Sequence, residues 1–368
     1  MRNILYLALL LVAVACPTDL PASEPSVAAK PRPAIIAYYA GDATGFQQYP
    51  TEKLTHIIYS FLHLKGTAFA FDSPRDQATV AALVALKKQH PQLKVMLSLG
   101  GWSGCETCSM VFATAQGRNE FATSVKQVLT ATHTDGIDLD WEYPAVAGPP
   151  GHRFAPEDRH NFTLLVQTLR TTLGNNYEIS FAAGGFPDYL QHAVEWPLVM
   201  PLVNRVNLMS YDLVNGYSTS TGHHTPLYST PQQSFSVDQG VRFLDSVGVA
   251  PGKIVIGAAF YARVFSGVPA ANKGLYQVGK FKQTFNYKDF KDSLSAGRGF
   301  VSYWDATARA PYAYSLRRQE FASFDDEQSI RLKTKYVLDK QLGGIMFWEL
   351  TGDKPRQGLL DCLYQAAQ

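Results

Sequence analysis

Short apolar runs alternate with longer segments of helical spacing from residue 34 to the end of the chain. Runs rich in β-branched and aromatic residues predict strands, and apolar residues recurring every three or four positions predict amphipathic helices. The predicted strands are Ala34–Ala40, His56–Leu64, Leu93–Leu99, Asp135–Glu142, Tyr177–Ala183, Arg205–Tyr211, Lys253–Phe260 and Gly343–Leu350. The predicted helices are Asp76–His90, Arg118–His133, Pro156–Leu173, Val237–Val247, Gln328–Gln341 and Arg356–Ala366. Eight strands in this alternation predict an α/β protein whose parallel sheet closes into a (β/α)8 TIM barrel.

One interval breaks the alternation. Between Phe260 and Gln328 the chain is much longer than a loop and a helix require, and it contains two strand-like runs, Phe300–Trp304 and Ala313–Leu316. Since a structureless loop of that length is improbable in a compact domain, we predict a small α+β insertion on the rim where the barrel strands end. The predicted barrel comprises residues 34–262 and 326–368, and the predicted insertion comprises residues 263–325.

The N-terminus has the pattern of an export signal. Arg2 supplies a positive charge, and the apolar run Ile4–Val14 is too short to span a membrane. We therefore predict a signal peptide at residues 1–15. Residues 16–33, rich in Pro, Ala and Ser, are predicted to form a flexible tether.

Two interpretations of the cleavage site stay open. Ala13-x-Ala15 fits cleavage by signal peptidase. Cys16, which directly follows a small residue, also resembles the lipidation box of bacterial lipoproteins, although Ala13 stands where Leu is usual. Both predict an exported protein, either secreted or held at a bacterial cell envelope. The only membrane contact expected is through a lipid on Cys16.

Composition and charge narrow the function classes. Hydrophobic residues make up 46% of the 368 positions, which is typical of a globular protein with a substantial core. A net charge of +2 gives no basis for a nucleic-acid partner. We expect neither a nucleic acid nor an obligate protein partner.

Two cysteines form the local motif C-E-T-C at Cys105 and Cys108. In an exported chain this spacing favours a local disulfide. A redox motif is disfavoured because no thioredoxin-like pattern surrounds it, and zinc because no second ligand pair lies nearby. Cys362 remains single and is predicted to be a buried thiol in the last helix.

The stretch Asp135–Pro144 carries the strongest chemical signal. Its acids Asp138, Asp140 and Glu142 alternate with apolar residues, so in a strand the three carboxyls share one face. Crowded carboxyls raise one another's pKa, which can keep one protonated near neutral pH as a general acid. A Ca²⁺ site is disfavoured because such loops are Gly- and Asn-rich turns. Asp135 falls on the opposite face and is interpreted as structural.

Other predicted strand ends carry matching motifs, and together they resemble those of glycoside hydrolase family 18, the chitinase family. The matching segments are D-x-x-D-x-D-x-E at Asp135–Glu142 with Tyr143-Pro144, S-x-G-G at Ser98–Gly101, M-x-Y-D at Met209–Asp212, Phe260–Arg263 and Gly344–Trp348. Ala262 stands where the family more often has Gly. The resemblance extends from Ala34 to the C-terminus, and the insertion is similar to that of the deep-cleft, bacterial-type chitinases.

The resemblance implies a chitinase that hydrolyses β-1,4 linkages of chitin or chito-oligosaccharides without metal or cofactor. It implies a retaining, substrate-assisted mechanism, in which the N-acetyl oxygen of the substrate attacks the anomeric carbon. Glu142 would act as general acid and then as base. Asp140 would bind the acetamide N–H, with Asp138 holding the arrangement from beneath. Tyr211 would bind the acetamide oxygen.

The family pattern also implies a set of substrate-binding residues. They are Tyr38, Phe61, Gly101, Trp102, Tyr143, Met209, Asp212, Arg263 and Trp348. Trp348 is expected to form the hydrophobic floor under the reacting sugar, and Trp102 an aromatic platform. Whether Arg263 reaches a sugar or pairs with an acid stays open at this stage.

Two alternative functions remain. One is an endo-β-N-acetylglucosaminidase acting on the core of N-glycans, although such relatives usually lack the insertion and the W-E-Y-P form. The other is a chitin-binding lectin that has lost catalysis. Lectins of this kind typically replace the catalytic acid, whereas Glu142, Asp140 and Tyr211 are all present here.

Overall fold

A closed parallel barrel forms the centre of the computed structural model, which describes residues 32–368. The strands are, in chain order, β1 (Ala34–Tyr39), β2 (His56–Lys65), β3 (Ala68–Ala70), β4 (Lys94–Gly100), β5 (Gly136–Asp140), β6 (Glu178–Gly184), β7 (Arg205–Met209), β8 (Ile254–Ala259), β9 (Tyr261–Ser266), β10 (Lys280–Asn286), β11 (Val301–Asp305), β12 (Ala310–Ser315), β13 (Glu320–Ser323) and β14 (Gly344–Trp348). The strands β1, β2, β4, β5, β6, β7, β8 and β14 pair in parallel, and pairing of β1 with both β14 and β2 closes the sheet. The predicted TIM barrel is confirmed.

The helices surround the barrel. They are α1 (Pro74–Ala85), α2 (Cys108–Phe112), α3 (Ala115–Thr132), α4 (Asp158–Leu173), α5 (Pro187–His192), α6 (Trp196–Val199), α7 (Val237–Ser246), α8 (Phe290–Ser293), α9 (Glu327–Asp339) and α10 (Leu359–Ala366). Local capping fixes the residue at which several helices begin. At the start of α1, the Ser73 side chain accepts a hydrogen bond from the Asp76 N–H, and Pro74 occupies the first turn. The apolar pattern does not predict α2, α5, α6 and α8, because helices of one or two turns are too short to show periodicity.

A second sheet lies in the interval between β8 and α9, where the sequence predicts an insertion. Its five antiparallel strands have the order β10-β9-β13-β12-β11. The strand-like runs of the sequence correspond to β11 and β12. Only Phe260 separates β8 from β9, although the two strands belong to different sheets. The predicted strand Lys253–Phe260 corresponds to β8, and the apolar pattern does not predict β9. The strand β10 forms one edge of the second sheet.

The apolar face of β5 is buried against helices, as the alternation in the sequence predicts. Ile137, Leu139 and Trp141 are almost fully buried, and the Trp141 ring packs against Phe112 of α2 and Phe162 of α4. The opposite face of β5 therefore points its carboxyls into the barrel. β5 ends at Asp140, so Glu142 lies just beyond the strand rather than within it.

Three cysteines lie within the described residues, and all three are buried. Cys105 and Cys108 form a disulfide, and Cys362 is a buried free thiol in α10. Within residues 32–368 the structure contains no helix with the length and apolar character needed to cross a membrane. The predicted signal peptide and Cys16 lie outside the described residues.

Candidate active site

Asp138 is the centre of a buried hydrogen-bond network inside the barrel. It is fully buried, and the register places it beside Ser98 on β4 and Ser180 on β6. Ser98 Oγ and Ser180 Oγ donate to its carboxylate at 2.9 and 2.6 Å. The Tyr38 hydroxyl and Asn207 Nδ2 donate at 3.0 and 3.1 Å. Burial raises the pKa of Asp138, and these four donors oppose that rise.

Asp140 lies one step further along the same face of β5. It is 4% exposed, and its Oδ1 has no hydrogen-bond partner among the described residues. Burial raises the pKa of Asp140 well above its usual value, and the nearby charges of Glu142 and Asp138 raise it further. A buried, unpaired acceptor is costly unless something occupies it. Since Asp140 lines the cleft, its free oxygen is available to an N–H of a bound ligand.

Glu142 is the next acid along the chain, at the mouth of the barrel. Burial raises its pKa to about 7; the Tyr143 hydroxyl lowers it and the charge of Asp212 raises it. A carboxyl that titrates there is protonated in a large fraction of molecules at neutral pH. It can therefore donate a proton and later accept one, as general acid–base catalysis requires.

Tyr211 and Asp212 follow the end of β7. Tyr211 is buried, with its ring edge against Tyr261 at 6.2 Å. Asp212 has a left-handed backbone with φ of 55°, which turns its carboxylate toward β9 of the second sheet. There Arg263 Nε donates to Asp212 Oδ1 at 2.7 Å, and a second guanidinium N–H donates to Oδ2. Arg263 therefore pairs with an acid, one of the two roles that the sequence leaves open.

The charge of Asp212 is held mainly by this pair. Burial favours the neutral form of Asp212. The interactions with His224 and Arg263 outweigh this effect and lower the pKa of Asp212 below its usual value. His224 Nδ1 is 3.6 Å from Asp212 Oδ1, which is too far for a direct hydrogen bond. Arg263 is thus the direct hydrogen-bond partner of the carboxylate, and the lowered pKa of Asp212 favours its ionised form near Glu142.

Two aromatic clusters lie on the walls of the site. The floor cluster consists of Trp348, Phe61 and Tyr38: Phe61 stacks on Trp348 at 5.6 Å, and Tyr38 lies 6.0 Å from it. The rim cluster consists of Trp102, Tyr143 and Tyr217, and the Trp102 ring lies 6.3 Å from Tyr143 and 6.1 Å from Tyr217.

These clusters and the carboxyls enclose one cleft of about 950 Å³. The predicted residues that line it are Tyr38, Phe61, Trp102, Asp140, Glu142, Tyr143, Met209, Tyr211, Asp212, Arg263 and Trp348. Asp138 lies beneath it. Gly101 does not line the cleft but supports it: its N–H donates to the Asp140 carbonyl at 2.9 Å, and a Cβ there would lie 2.4 Å from the Phe61 ring.

Several lining residues are not predicted from the sequence. They include Phe186, Asn215, Gly216, Tyr217, Tyr261, Phe281, Thr284, Asn286 and Glu349. Phe281, Thr284 and Asn286 come from β10, and no local pattern indicates that the edge of the second sheet borders the cleft. For Tyr217, the sequence offers one weak indication of a role in the cleft, which is an aromatic residue in a turn shortly after the M-x-Y-D motif.

Carboxyls and hydroxyls of the protein are among the polar groups that line the cleft. Among residues 32–368, no three His, Cys, Asp or Glu side chains converge as a metal ion would require. The expectation that no cofactor takes part stays a prediction.

Comparison with known proteins identifies the family. The model of Glycosyl hydrolases family 18 matches residues 34–353. Chitinase A1 of Niallia circulans is 34% identical over 316 residues, which is 78% of this chain and 45% of that protein. Chitinase B of Serratia marcescens is 28% identical over 388 residues, covering 85% of this chain and 76% of that protein. This chain thus spans less than half of the first relative and about three quarters of the second.

Comparison with solved structures supports the same family assignment. A family 18 N-acetylglucosaminidase from Paenibacillus barengoltzii superposes with a TM-score of 0.83 at 36% identity, covering 91% of this chain and 99% of that chain. A chitinase from Bacillus thuringiensis superposes with a TM-score of 0.86 at 27% identity, covering 92% and 70%. With the family model matching most of its length, this chain belongs to glycoside hydrolase family 18.

Proposed function

We propose that this protein hydrolyses β-1,4 linkages between N-acetylglucosamine units of chitin or chito-oligosaccharides. The observation that carries the proposal is the pairing of Glu142, whose pKa is about 7, with a free buried oxygen on Asp140. The first supplies an acid at the scissile bond. The second supplies an acceptor for a substrate N–H. Chitinases among the relatives of this chain support the same substrate class.

The state of Asp140 favours a substrate-assisted route. A retaining glycosidase with an enzymic nucleophile needs a second ionised carboxylate facing the anomeric carbon. Burial, together with the charges of Glu142 and Asp138, raises the pKa of Asp140 well above its usual value, which disfavours the ionised form that an enzymic nucleophile requires. Asp212 is ionised but is held by Arg263. The substrate's own acetamide oxygen is therefore the nucleophile we propose.

The steps follow from these positions. Glu142 donates its proton to the glycosidic oxygen as that oxygen leaves the anomeric carbon. The acetamide oxygen, oriented by the Tyr211 hydroxyl, bonds to the same carbon and forms an oxazolinium ring. The free carboxyl oxygen of Asp140 accepts a hydrogen bond from the acetamide N–H and so stabilises the positive charge of the ring. Water then attacks the anomeric carbon and gives a proton to Glu142, while the bond from that carbon to the acetamide oxygen breaks and the acetamide is regenerated. Glu142 is again protonated, and the product sugar has retained configuration.

A second candidate is an N-acetylglucosaminidase that removes single sugars. The Paenibacillus barengoltzii enzyme, 36% identical and matched over 99% of its chain, carries that name. The bond cleaved is of the same kind, and the two candidates differ in where along the substrate the cut falls. A time course of products from an N-acetylglucosamine hexamer separates them. Monomer as the first product would favour this candidate, and dimers or longer products the leading one.

The proposed acid is tested by replacing Glu142 with Gln. The amide cannot donate the proton, so we expect turnover of the hexamer to fall by about 10²–10⁴-fold or more, with an unchanged circular dichroism spectrum. The control is Glu52→Gln, at an exposed position before β2, on the opposite end of the barrel. Glu142→Gln activity within tenfold of the control would exclude Glu142 as the acid.

A further inference from the structure

We propose that the Cys105–Cys108 disulfide is a positioning element that holds Trp102 in the cleft and so sets the affinity for longer oligosaccharides. The inference rests on the proposed function and goes beyond it, since neither cysteine lines the cleft. The two residues act through the loop that joins β4 to α2. Trp102 is the part of that loop that meets the substrate.

The backbone of this loop follows the last residue of β4, Gly100, and lies outside strands and helices from residue 101 to residue 107. Gly100, Gly101 and Ser103 all have positive φ, of 102°, 80° and 68°. This conformation is easy for glycine and unfavourable for Ser103. Gly104 is packed so closely that a Cβ would lie 2.0 Å from the Gly100 carbonyl oxygen. The chain therefore turns sharply around Trp102, and contacts with neighbouring residues must stabilise this backbone conformation.

The disulfide provides that constraint. Cys105 and Cys108 are 2% and 0% exposed, and Cys108 is the first residue of α2. α2 is itself fastened at both ends: Ser109 Oγ donates to Asp158 Oδ1 of α4 at 3.0 Å, and Phe112 packs on Trp141. The bond thus ties the loop to a helix anchored beside β5. Without it, the loop would be held to the barrel by its turn residues and by the hydrogen bond from the Gly101 N–H to the Asp140 carbonyl.

Packing alone cannot hold Trp102. Its side chain is 47% exposed, and its aromatic neighbours are Tyr143 and Tyr217 at 6.3 and 6.1 Å. Tyr217 is itself 62% exposed. A half-exposed side chain on a free loop loses conformational entropy when a sugar stacks on it, whereas a pre-ordered one does not. The disulfide therefore lowers the entropic cost of substrate binding at the rim cluster.

The test compares the Cys105→Ala/Cys108→Ala protein with a Cys362→Ala control, which removes a buried thiol in α10. We expect KM for the hexamer to rise by about 3–10-fold with kcat within twofold, since one ordered side chain is the scale of the effect. Trp102→Ala should raise KM in the native background and add little in the disulfide-free one. Equal effects of Trp102→Ala in both backgrounds, or an unchanged KM, would overturn the proposal.

A spectroscopic readout keeps the test independent of catalysis. Trp102 is the exposed residue among the five tryptophans, so loss of the disulfide should increase the fast anisotropy decay of Trp fluorescence. Unchanged anisotropy would contradict the proposal. If the double variant does not fold, reduction of the native protein with dithiothreitol and reoxidation give the same comparison. If the native protein fails to cleave the hexamer, the proposed function fails while the anisotropy still tests the role of the disulfide.

Discussion

At the scale of single residues, the neighbours of Glu142 decide what it can do. It shares a face with Asp138 and Asp140, but its raised pKa comes first from burial and then from the charge of Asp212. Asp212 supplies that charge because Arg263 keeps it ionised. The acid that the sequence singles out therefore depends on a pair whose members come from different sheets.

This dependence predicts a shift in the pH profile. In the proposed mechanism Glu142 acts as an acid, so activity should be present below its pKa of about 7 and fall as the pH rises through it. Asp212→Asn removes the negative charge and leaves Arg263 unpaired, and both changes lower the pKa of Glu142. The alkaline limb of kcat/KM should therefore move to lower pH.

The control for this shift is Asp339→Asn, at an exposed position on α9. Its pH profile should match that of the native protein. The profiles are measured on the same oligosaccharide across the neutral range. An alkaline limb that stays in place, or moves to higher pH in Asp212→Asn, would contradict the electrostatic account of Glu142.

At the scale of elements, a buried ion pair joins α9 to the loops of the barrel. Lys333 Nζ donates to Asp325 Oδ2 at 2.6 Å and to Thr225 Oγ1 at 2.5 Å. Asp325 also accepts from the Ala259 N–H at 3.0 Å. Both charged side chains are fully buried. The pair thus connects the end of the second sheet, the end of β8 and α9 behind the cleft.

Breaking this pair should destabilise the protein strongly. Lys333→Met leaves Asp325 buried without its cation, and we expect the free energy of unfolding to fall by about 3–5 kcal/mol. Lys335→Met, two residues further along α9, removes only an exposed pair with Asp339, worth about 0–0.5 kcal/mol. Both are measured by denaturant unfolding. Similar losses in the two variants would show that burial of the pair is not what matters.

At the scale of the whole molecule, residues of both sheets line the cleft. The barrel contributes the carboxyls and the floor cluster, whereas the second sheet contributes Arg263 and, from β10, Phe281, Thr284 and Asn286. A substrate of the proposed kind would contact residues of both sheets. In the proposed mechanism its selectivity comes from the centre of the cleft, where Asp140 and Tyr211 would bind an acetamide group.

This selectivity predicts a difference between matched substrates. A fully N-acetylated hexamer should be cleaved, and the fully deacetylated hexamer of the same length should not, because it lacks the proposed nucleophile. Product analysis by chromatography checks this, and binding of the deacetylated hexamer by calorimetry separates failure to react from failure to bind. Cleavage of both at comparable rates would exclude the substrate-assisted route.

The sequence by itself determined the barrel and the carboxyl row. Eight apolar runs alternating with helical segments are a local pattern, and the spacing of Asp138, Asp140 and Glu142 places them on one face because side chains alternate along a strand. The family pattern, also local, indicated the acidic residues of the site and fewer than half of the residues that line the cleft.

The tertiary structure alone decided which distant residues meet. The contacts of Arg263 with Asp212, of Lys333 with Asp325 and Thr225, and of Trp102 with Tyr217 join separate segments of the chain. They depend on strand order, register and loop path, which a single sequence does not encode in any local period. The pKa of Glu142 belongs to this second group, because burial and charges from other elements set it.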